Sequence, residues 1–179
     1  MKPSQLCIDI VKHFESLHDG DLTVIGLQPK MCPAGIWTVG YGRALTDKTG
    51  RFLRGEKDKA QAYSMHPNLT VKQAEEMLHE DLDVRAKVVD KIFSDQKITL
   101  LQHQFDAMLS FAYNCGPGAI YDRVNNRDMA IMRAIKSKDE KQVTAAFLLW
   151  VKANGKTLPG LVLRRKSEAI LFNTGTVKF

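Results

Sequence analysis

Apolar residues recur at helical spacing in several separate stretches of the chain, with polar positions between them. The first stretch covers residues 4–17, and Ser4 at its start is a suitable N-cap. Its predicted apolar face is formed by Leu6, Ile10, Phe14 and Leu17. The pattern therefore predicts an amphipathic first helix, with Glu15 one step off the apolar face and near the helix C-terminus.

A different pattern follows the first helix. Residues 22–55 alternate β-forming residues with Gly, Pro and Asp, which predicts a small twisted sheet of two or three strands. Within it, residues 31–42 read as a hairpin, with turn residues at Pro33 and Gly35. Residues 48–67 are polar and weakly patterned, so we expect a long surface loop there.

Helical periodicity returns after residue 69 and continues to the end of the chain. A capping box at Thr70 and Gln73 opens a helix of more than twenty residues. Further helices are predicted to open at Thr99 with Gln102, near residues 127–135, at Ser137 with Glu140, and at Pro159, the last one stopping at Asn173 and Gly175. The sequence thus predicts one predominantly helical α+β domain over residues 1–179, with a sheet lobe (about 18–69) and a helical lobe (about 70–179 with the first helix, about 4–17) joined by the long helix.

Composition narrows the class of protein. With 179 residues and 44% hydrophobic content, the chain can bury a core and is not of a disordered class. No apolar run reaches the roughly 18–20 residues that span a bilayer, and the N-terminus lacks a secretory signal, so we expect a soluble cytoplasmic protein without stable membrane insertion. Three scattered cysteines make no disulfide framework, and we expect Cys7 and Cys115 to be buried free thiols.

The net charge of +6 favours polyanionic partners, namely nucleic acid, anionic membranes or acidic cell-wall polymers. The last 25 residues hold five basic residues against one acidic residue, which predicts a basic surface there. No nucleic-acid-binding motif is present, so we expect no nucleic-acid partner. No His or Cys pair has metal-ligand spacing, so we expect neither a metal nor a cofactor.

Several short motifs occur in one order along nearly the whole chain. They are His13-Phe14-Glu15, the hairpin Met31 to Gly42, Gln104 to Ala107, Phe111 to Gly116, Trp150 to Lys152, Leu158 to Leu161, and Arg164-Arg165. In this order the motifs resemble the phage-type lysozymes, which are endolysins with muramidase activity. The resemblance implies a lysozyme-like fold with a cleft between its two lobes.

The resemblance also implies the site residues. Glu15, Cys32 and Thr38 take the places of the family's catalytic Glu, Asp or Cys, and Thr, and the interval from Cys32 to Thr38 is the family's. The interval from Glu15 to Cys32 is longer than usual, which implies an insertion at residues 18–29. Asn114 takes the place of an amide that binds the saccharide, and Tyr41 and Arg43 are further candidates for substrate binding.

Other roles stay open for several of the residues in these motifs. Tyr41 can instead shape the strand exit between two glycines, and Arg43 can hold Glu15, contact substrate carboxylates or be solvated. Arg164 and Arg165 can line the cleft, or one of them can pair with Glu168. Trp150 is expected in the core.

The chemistry of the three residues fits glycoside hydrolysis, which needs a protonated acid at the leaving oxygen and a water at the anomeric carbon. A helix C-terminus and partial burial both favour the uncharged carboxyl of Glu15, as a general acid requires. The Thr38 hydroxyl can hold the water. A free thiol is largely protonated at neutral pH, so Cys32 can polarise the water, stabilise positive charge or act as a nucleophile, in that order of preference.

The implied function is hydrolysis of the β-1,4 bond between N-acetylmuramic acid and N-acetylglucosamine in bacterial peptidoglycan, for host lysis. The implied enzyme is a monomer that leaves the host cytoplasm through a holin-dependent step, without direct holin contact, and then acts on the wall. The alternatives are a catalytically weak or inactive wall-binding protein of the same fold, a basic nucleic-acid-binding domain, and a transglycosylase that releases an anhydro product.

Overall fold

The computed structural model describes residues 1–32, 34–153 and 155–179, and these form two compact units. Unit 1 comprises Met1–Phe14 and Leu82–Phe179, and unit 2 comprises Glu15–Asp81. The chain is mostly helical with small antiparallel sheets, which confirms the predicted fold class. The predicted turn residue Pro33 lies outside the described residues.

The helices and strands follow one another without a repeat. The helices are α1 (Gln5–Glu15), α2 (Lys59–Met65), α3 (Val71–Asp95), α4 (Gln102–Cys115), α5 (Ala130–Ser137), α6 (Glu140–Leu148) and α7 (Pro159–Thr174), with 3-10 turns at Glu56–Asp58 and Pro117–Ala119. The strands are β1 (Lys30–Met31), β2 (Trp37–Val39), β3 (Arg43–Ala44), β4 (Tyr121–Asp122), β5 (Arg127–Asp128), β6 (Lys152–Ala153) and β7 (Lys156–Thr157). The last four strands form two small hairpins that the sequence analysis did not predict.

Unit 2 is built on a three-stranded antiparallel sheet in the order β1-β2-β3. Thr38 in the central strand lies opposite Lys30 on one side and Ala44 on the other. All three residues of β2 are buried. The indole of Trp37 donates a hydrogen bond to the Gly55 carbonyl (2.8 Å), and its ring packs edge-on against Tyr63. The predicted sheet is therefore confirmed, and its strands lie between residues 30 and 44.

The segment 48–67 is not the continuous surface loop that we expected, since it contains a 3-10 turn and α2. Two of its charged residues, Arg51 and Asp58, pair with each other, and Asp58 is buried. Asp58 accepts hydrogen bonds from the Arg51 guanidinium (2.8 Å) and the Arg54 backbone N–H (2.7 Å). These bonds lower the pKa of Asp58 to about 2.

The structure shows which of the predicted capping boxes begin a helix. The Thr70 hydroxyl accepts from the Gln73 N–H, and the Gln73 side chain accepts from the Thr70 N–H, which confirms the first capping box. The box at Thr99 is wrong, because Gln104 reaches back to the Leu101 N–H and α4 starts at Gln102.

The box at Ser137 is wrong as well. Ser137 ends α5, and Asp139 caps α6 by accepting from the N–H groups of Lys141 and Gln142. The helix predicted near residues 127–135 begins at Ala130, because Arg127 and Asp128 form β5.

The core of unit 1 packs α4 against α7, with α5 and α6 beside them. Phe105, Met108, Leu109 and Ala112 are buried as predicted, whereas Leu101 is 62% exposed. In α1 the buried face consists of Cys7, Ile8, Ile10 and Val11, and Leu6 is exposed, so the predicted face is rotated. Trp150 is half-buried and packs edge-on against Phe111.

A buried ionic cluster joins α7 to α4 within unit 1. Arg164 and Arg165 both pair with Glu168 (3.2 and 3.0 Å), and Ser110 donates to the same carboxylate (2.7 Å). Arg164 and Arg165 are buried, so the prediction that they contribute to a basic surface is wrong, and the pairing with Glu168 is confirmed. Removing one partner of a buried ion pair of this kind strongly destabilises the folded protein, because the other charge stays buried without its partner.

Candidate active site

Glu15 is the last residue of α1 and the first residue of unit 2. Ser16 follows with a φ of 58°, in the left-handed region, which ends the helix two residues before the predicted boundary at residue 17. The carboxyl of Glu15 then lies against Gly42, and its Oε2 is 3.3 Å from the point where a Cβ of residue 42 would stand. A Cβ at residue 42 would therefore be in tight contact with the carboxyl of Glu15.

Two glycines with positive φ shape the chain between β2 and β3. Gly42 has a φ of 87°, and Gly40, with a φ of 60°, packs against Ala74 of α3 so closely that a Cβ would be 3.2 Å from the Ala74 methyl. Tyr41 between them is only 7% exposed. This burial favours the reading in which Tyr41 shapes the strand exit over the one in which it binds substrate.

Thr38 is held by two hydrogen bonds inside unit 2. Its hydroxyl donates to the Lys30 carbonyl on β1 (2.9 Å), and its Oγ1 also lies 2.9 Å from Nδ1 of His18. His18 itself is fixed by its backbone N–H, which donates to the Gly40 carbonyl (2.8 Å). The threonine side chain is thus part of a chain of polar contacts and is almost fully buried.

His18 is a residue of this site that the sequence analysis missed. Its position in the predicted insertion 18–29 gave it no role, and Thr38 is twenty positions away in sequence. The isolated bridge between His18 and Gly40 places His18 beside the end of β2. Burial lowers the pKa of His18 below its usual value, although the charge of Glu15 acts to raise it.

Cys32 lies in the turn that precedes β2. Its N–H donates to the Ile36 carbonyl and its carbonyl accepts from the Gly35 N–H, both at 2.8 Å. The thiol is free and half-buried. The backbone of Cys32 is therefore fixed by the hairpin that carries Thr38.

Arg43, for which holding Glu15, contacting substrate or being solvated were left open, makes its observed contacts with α3. Its guanidinium bonds to Asp81 (2.9 Å), to Glu80 (3.1 Å) and to the Met77 carbonyl on α3. These contacts fasten β3 to the long helix, which favours a role in holding unit 2 together.

Asn114 belongs to unit 1, near the C-terminus of α4. Its Oδ1 accepts from the Arg165 guanidinium (3.0 Å), so the buried cluster on α7 fixes the orientation of the amide. Cys115 beside it is half-buried rather than buried, with its sulfur against the same guanidinium. Burial raises the pKa of the Cys115 thiol.

Neither a metal site nor a membrane span is found among residues 1–32, 34–153 and 155–179. No group of three or more His, Cys, Asp or Glu side chains in these ranges could hold a metal ion. No helix there combines the length and the apolar content needed to cross a bilayer.

Comparison with known proteins identifies the family. The model of the family described as phage lysozyme matches residues 23–168. The chain belongs to the phage lysozyme family. The matched residues include Cys32, Thr38 and Asn114, and they begin after Glu15, so the assignment of the acid depends on its position against Gly42.

Curated relatives carry the name endolysin. The endolysin of Bacillus phage PZA is 32% identical over 99% of this chain and 57% of its own length, and that of Acyrthosiphon pisum secondary endosymbiont phage 1 is 29% identical over 97% and 99%. The chain spans just over half the length of the PZA relative and of its counterpart in Bacillus phage B103.

Solved structures show the same fold. An endolysin from Escherichia coli O157:H7 phage FAHEc1 aligns over 100% of this chain and 98% of its own, with a TM-score of 0.72 and 26% identity. The active form of the P1 phage endolysin aligns over 98% and 86%, with a TM-score of 0.66 and 21% identity, and that likeness concerns the fold alone.

The contact between Glu15 and Gly42 gives a direct test of this candidate site. We expect Gly42→Ala to lower lytic activity at least tenfold, because the new methyl group displaces the carboxyl, and small misplacements of a catalytic group are costly. Gly50→Ala is the matched control, since Gly50 has a similar φ of 85° and no atom within 4 Å of its Cβ position.

Both variants carry the same left-handed strain, about 1–2 kcal/mol, so thermal unfolding should shift similarly in the two. Clearance of purified cell wall measures activity. Equal activity in the two variants would show that the position of the Glu15 carboxyl does not depend on the missing side chain at Gly42.

Proposed function

We propose that this chain is an endolysin that hydrolyses the β-1,4 bond between N-acetylmuramic acid and N-acetylglucosamine in bacterial peptidoglycan. The observation that carries the proposal is the Glu15 carboxyl, which lies against the Gly40-Tyr41-Gly42 exit of the strand that holds Thr38. Membership of the phage lysozyme family and relatives named endolysin support it. The alternative is a wall-binding protein that has this fold and little or no activity.

In this proposal Glu15 is the general acid. It donates its proton to the glycosidic oxygen as the bond to the anomeric carbon breaks, so that the leaving sugar departs as an alcohol. Glu15 is half-buried and is the last residue of α1. Water then adds to the anomeric carbon and supplies the hydroxyl group of the new reducing end. The proton that this water loses passes to the solvent, and Glu15 takes up a proton from the solvent before the next cycle.

Thr38 holds that water. Since the hydroxyl hydrogen is donated to the Lys30 carbonyl, Thr38 can bind the water only as an acceptor. A water that donates one hydrogen to Oγ1 keeps a lone pair for the anomeric carbon. Thr38 therefore orients the water and does not remove its proton.

Cys32 stands where many lysozymes of this type have a carboxylate. We propose that the sulfur polarises the attacking water or stabilises positive charge at the anomeric carbon, with nucleophilic attack as the less favoured role. A thiol is a weak base at neutral pH, which argues against full proton transfer to an unactivated Cys32.

The substrate contacts and the cellular route complete the proposal. The amide of Asn114, oriented by Arg165, hydrogen-bonds the saccharide. The enzyme acts as a monomer and needs neither metal nor nucleic acid. It reaches the wall from the host cytoplasm after a holin opens the inner membrane.

Expression of this chain alone, without a holin, should then leave a Gram-negative host intact.

Replacing the acid tests the proposed activity. We expect Glu15→Gln to fold normally and to lose about 10²–10⁴-fold in rate, which is the usual contribution of general acid catalysis. The assay follows reducing ends released from purified peptidoglycan. Glu76→Gln on the exposed face of α3 is the matched control and should keep full activity.

A Glu15→Gln variant with more than a tenth of the wild-type rate would contradict this assignment. Asp19 would then be the next candidate for the acid. Asp21 is less suited, because hydrogen bonds from the Thr23 hydroxyl and N–H lower its pKa.

The role of Cys32 is tested by three forms of the enzyme. If the sulfur polarises water or charge, Cys32→Asp should keep or raise activity, and Cys32→Ala should lose it only in part. If the sulfur is a nucleophile, Cys32→Ala should be as damaging as Glu15→Gln, and mass spectrometry should trap a sugar adduct. Equal activity of the Ala, Asp and wild-type forms would make Cys32 structural.

A further inference from the structure

Two groups contact the Thr38 hydroxyl, namely Nδ1 of His18 and the Lys30 carbonyl, each at 2.9 Å. We propose that His18 is a positioning residue for the reaction: its Nδ1–H donates to Thr38 Oγ1 and leaves one lone pair of that oxygen for the attacking water. The inference rests on the proposed function, because it assigns Thr38 the task of holding that water.

The hydrogen atoms available at the Thr38 hydroxyl decide the direction of both hydrogen bonds. A threonine hydroxyl carries one hydrogen and two lone pairs, and a backbone carbonyl can only accept. The contact of Thr38 Oγ1 with the Lys30 carbonyl (2.9 Å) therefore uses the hydroxyl hydrogen. The second contact of Oγ1, with Nδ1 of His18 (2.9 Å), must then be donated by the histidine.

This count assigns the tautomer of the ring. Nδ1 carries a hydrogen, and in the neutral form Nε2 does not. Burial and the nearby charge of Lys30 lower the pKa of His18, whereas the charge of Glu15 and a hydrogen bond with its backbone act to raise it. The net shift of the pKa is downward, which favours the neutral ring.

The backbone of unit 2 holds the ring in place. The His18 N–H donates to the Gly40 carbonyl (2.8 Å), and Gly40 itself packs closely on Ala74 of α3. The imidazole is thus anchored to the same strand exit that receives the Glu15 carboxyl at Gly42. One short stretch of backbone therefore sets the position of the acid and, through His18, the lone pairs of Thr38.

Substitutions at position 18 distinguish this role from simple packing. Asparagine places an amide N–H₂ on the atom that corresponds to Cγ, where Nδ1 is attached, whereas glutamine moves its amide one carbon further out. We expect His18→Asn to stay within about threefold of the wild-type kcat, and His18→Gln and His18→Leu to lose about tenfold with KM little changed, as expected for one hydrogen bond of about 1.4 kcal/mol.

The exposed His79 of α3 supplies the control, because His79→Leu removes an imidazole of unit 2 outside this site and should keep the wild-type kcat. Full activity of His18→Leu, or equal losses in the Asn and Leu variants, would overturn the proposal. Thermal unfolding of each variant shows whether a loss reflects folding.

A second measurement needs no activity. Nitrogen-15 NMR of the imidazole in the wild-type chain should show the hydrogen of the neutral His18 ring on Nδ1, and Thr38→Val should weaken that preference. A ring protonated on Nε2 alone would overturn the inference even in an active enzyme. If the wild-type chain releases no reducing ends from peptidoglycan, the proposed function fails, while the NMR result still decides the tautomer.

Discussion

The absence of a side chain at position 42 is the constraint on which the candidate site depends. The Glu15 carboxyl lies 3.3 Å from the point where a Cβ of residue 42 would stand, so a side chain there would crowd it. Glu15 is the last residue of α1, and Ser16 turns the chain in the left-handed region. Gly42 also needs a positive φ, so two separate physical demands select glycine there. The close approach places a carboxylic acid directly over the exit of β2.

The sheet that carries the site is too small to be rigid through its backbone hydrogen bonds alone, since β1 and β3 have two residues each. Side chains supply the rest. The Trp37 indole donates a hydrogen bond to the Gly55 carbonyl, and Arg51 forms an ion pair with Asp58. Arg43 forms ion pairs with Asp81 and Glu80 of α3. Polar side chains with partners thus hold both the sheet and the hydroxyl of Thr38.

The sequence was most informative where a residue acts through its neighbours in the chain. The Thr70 capping box and the glycine stop at Gly175 involve groups within a few positions of each other, and both were predicted. Asp139 replaced Ser137 as the cap of α6 because several polar residues compete for one helix start. The rotated face of α1 has the same origin, since Leu6 and Cys7 both fit an apolar stripe.

Contacts between distant residues could not be predicted in this way. Arg164 and Arg165 look like surface charge until the fold places Glu168 and Ser110 beside them. His18 looks like part of an insertion until its bridge with Gly40 brings the ring to Thr38. The family motifs identified Glu15, Cys32 and Thr38 as candidates, but only the structure shows what each side chain contacts.

The most direct test of the account is the chemistry of the products that the wild-type chain releases from purified peptidoglycan. Digests separated and identified by mass spectrometry should contain fragments with N-acetylmuramic acid at the reducing end, because a water positioned by Thr38 adds to that sugar as Glu15 protonates the leaving oxygen. Fragments that end in an anhydro sugar or in N-acetylglucosamine, or the absence of any release, would contradict it.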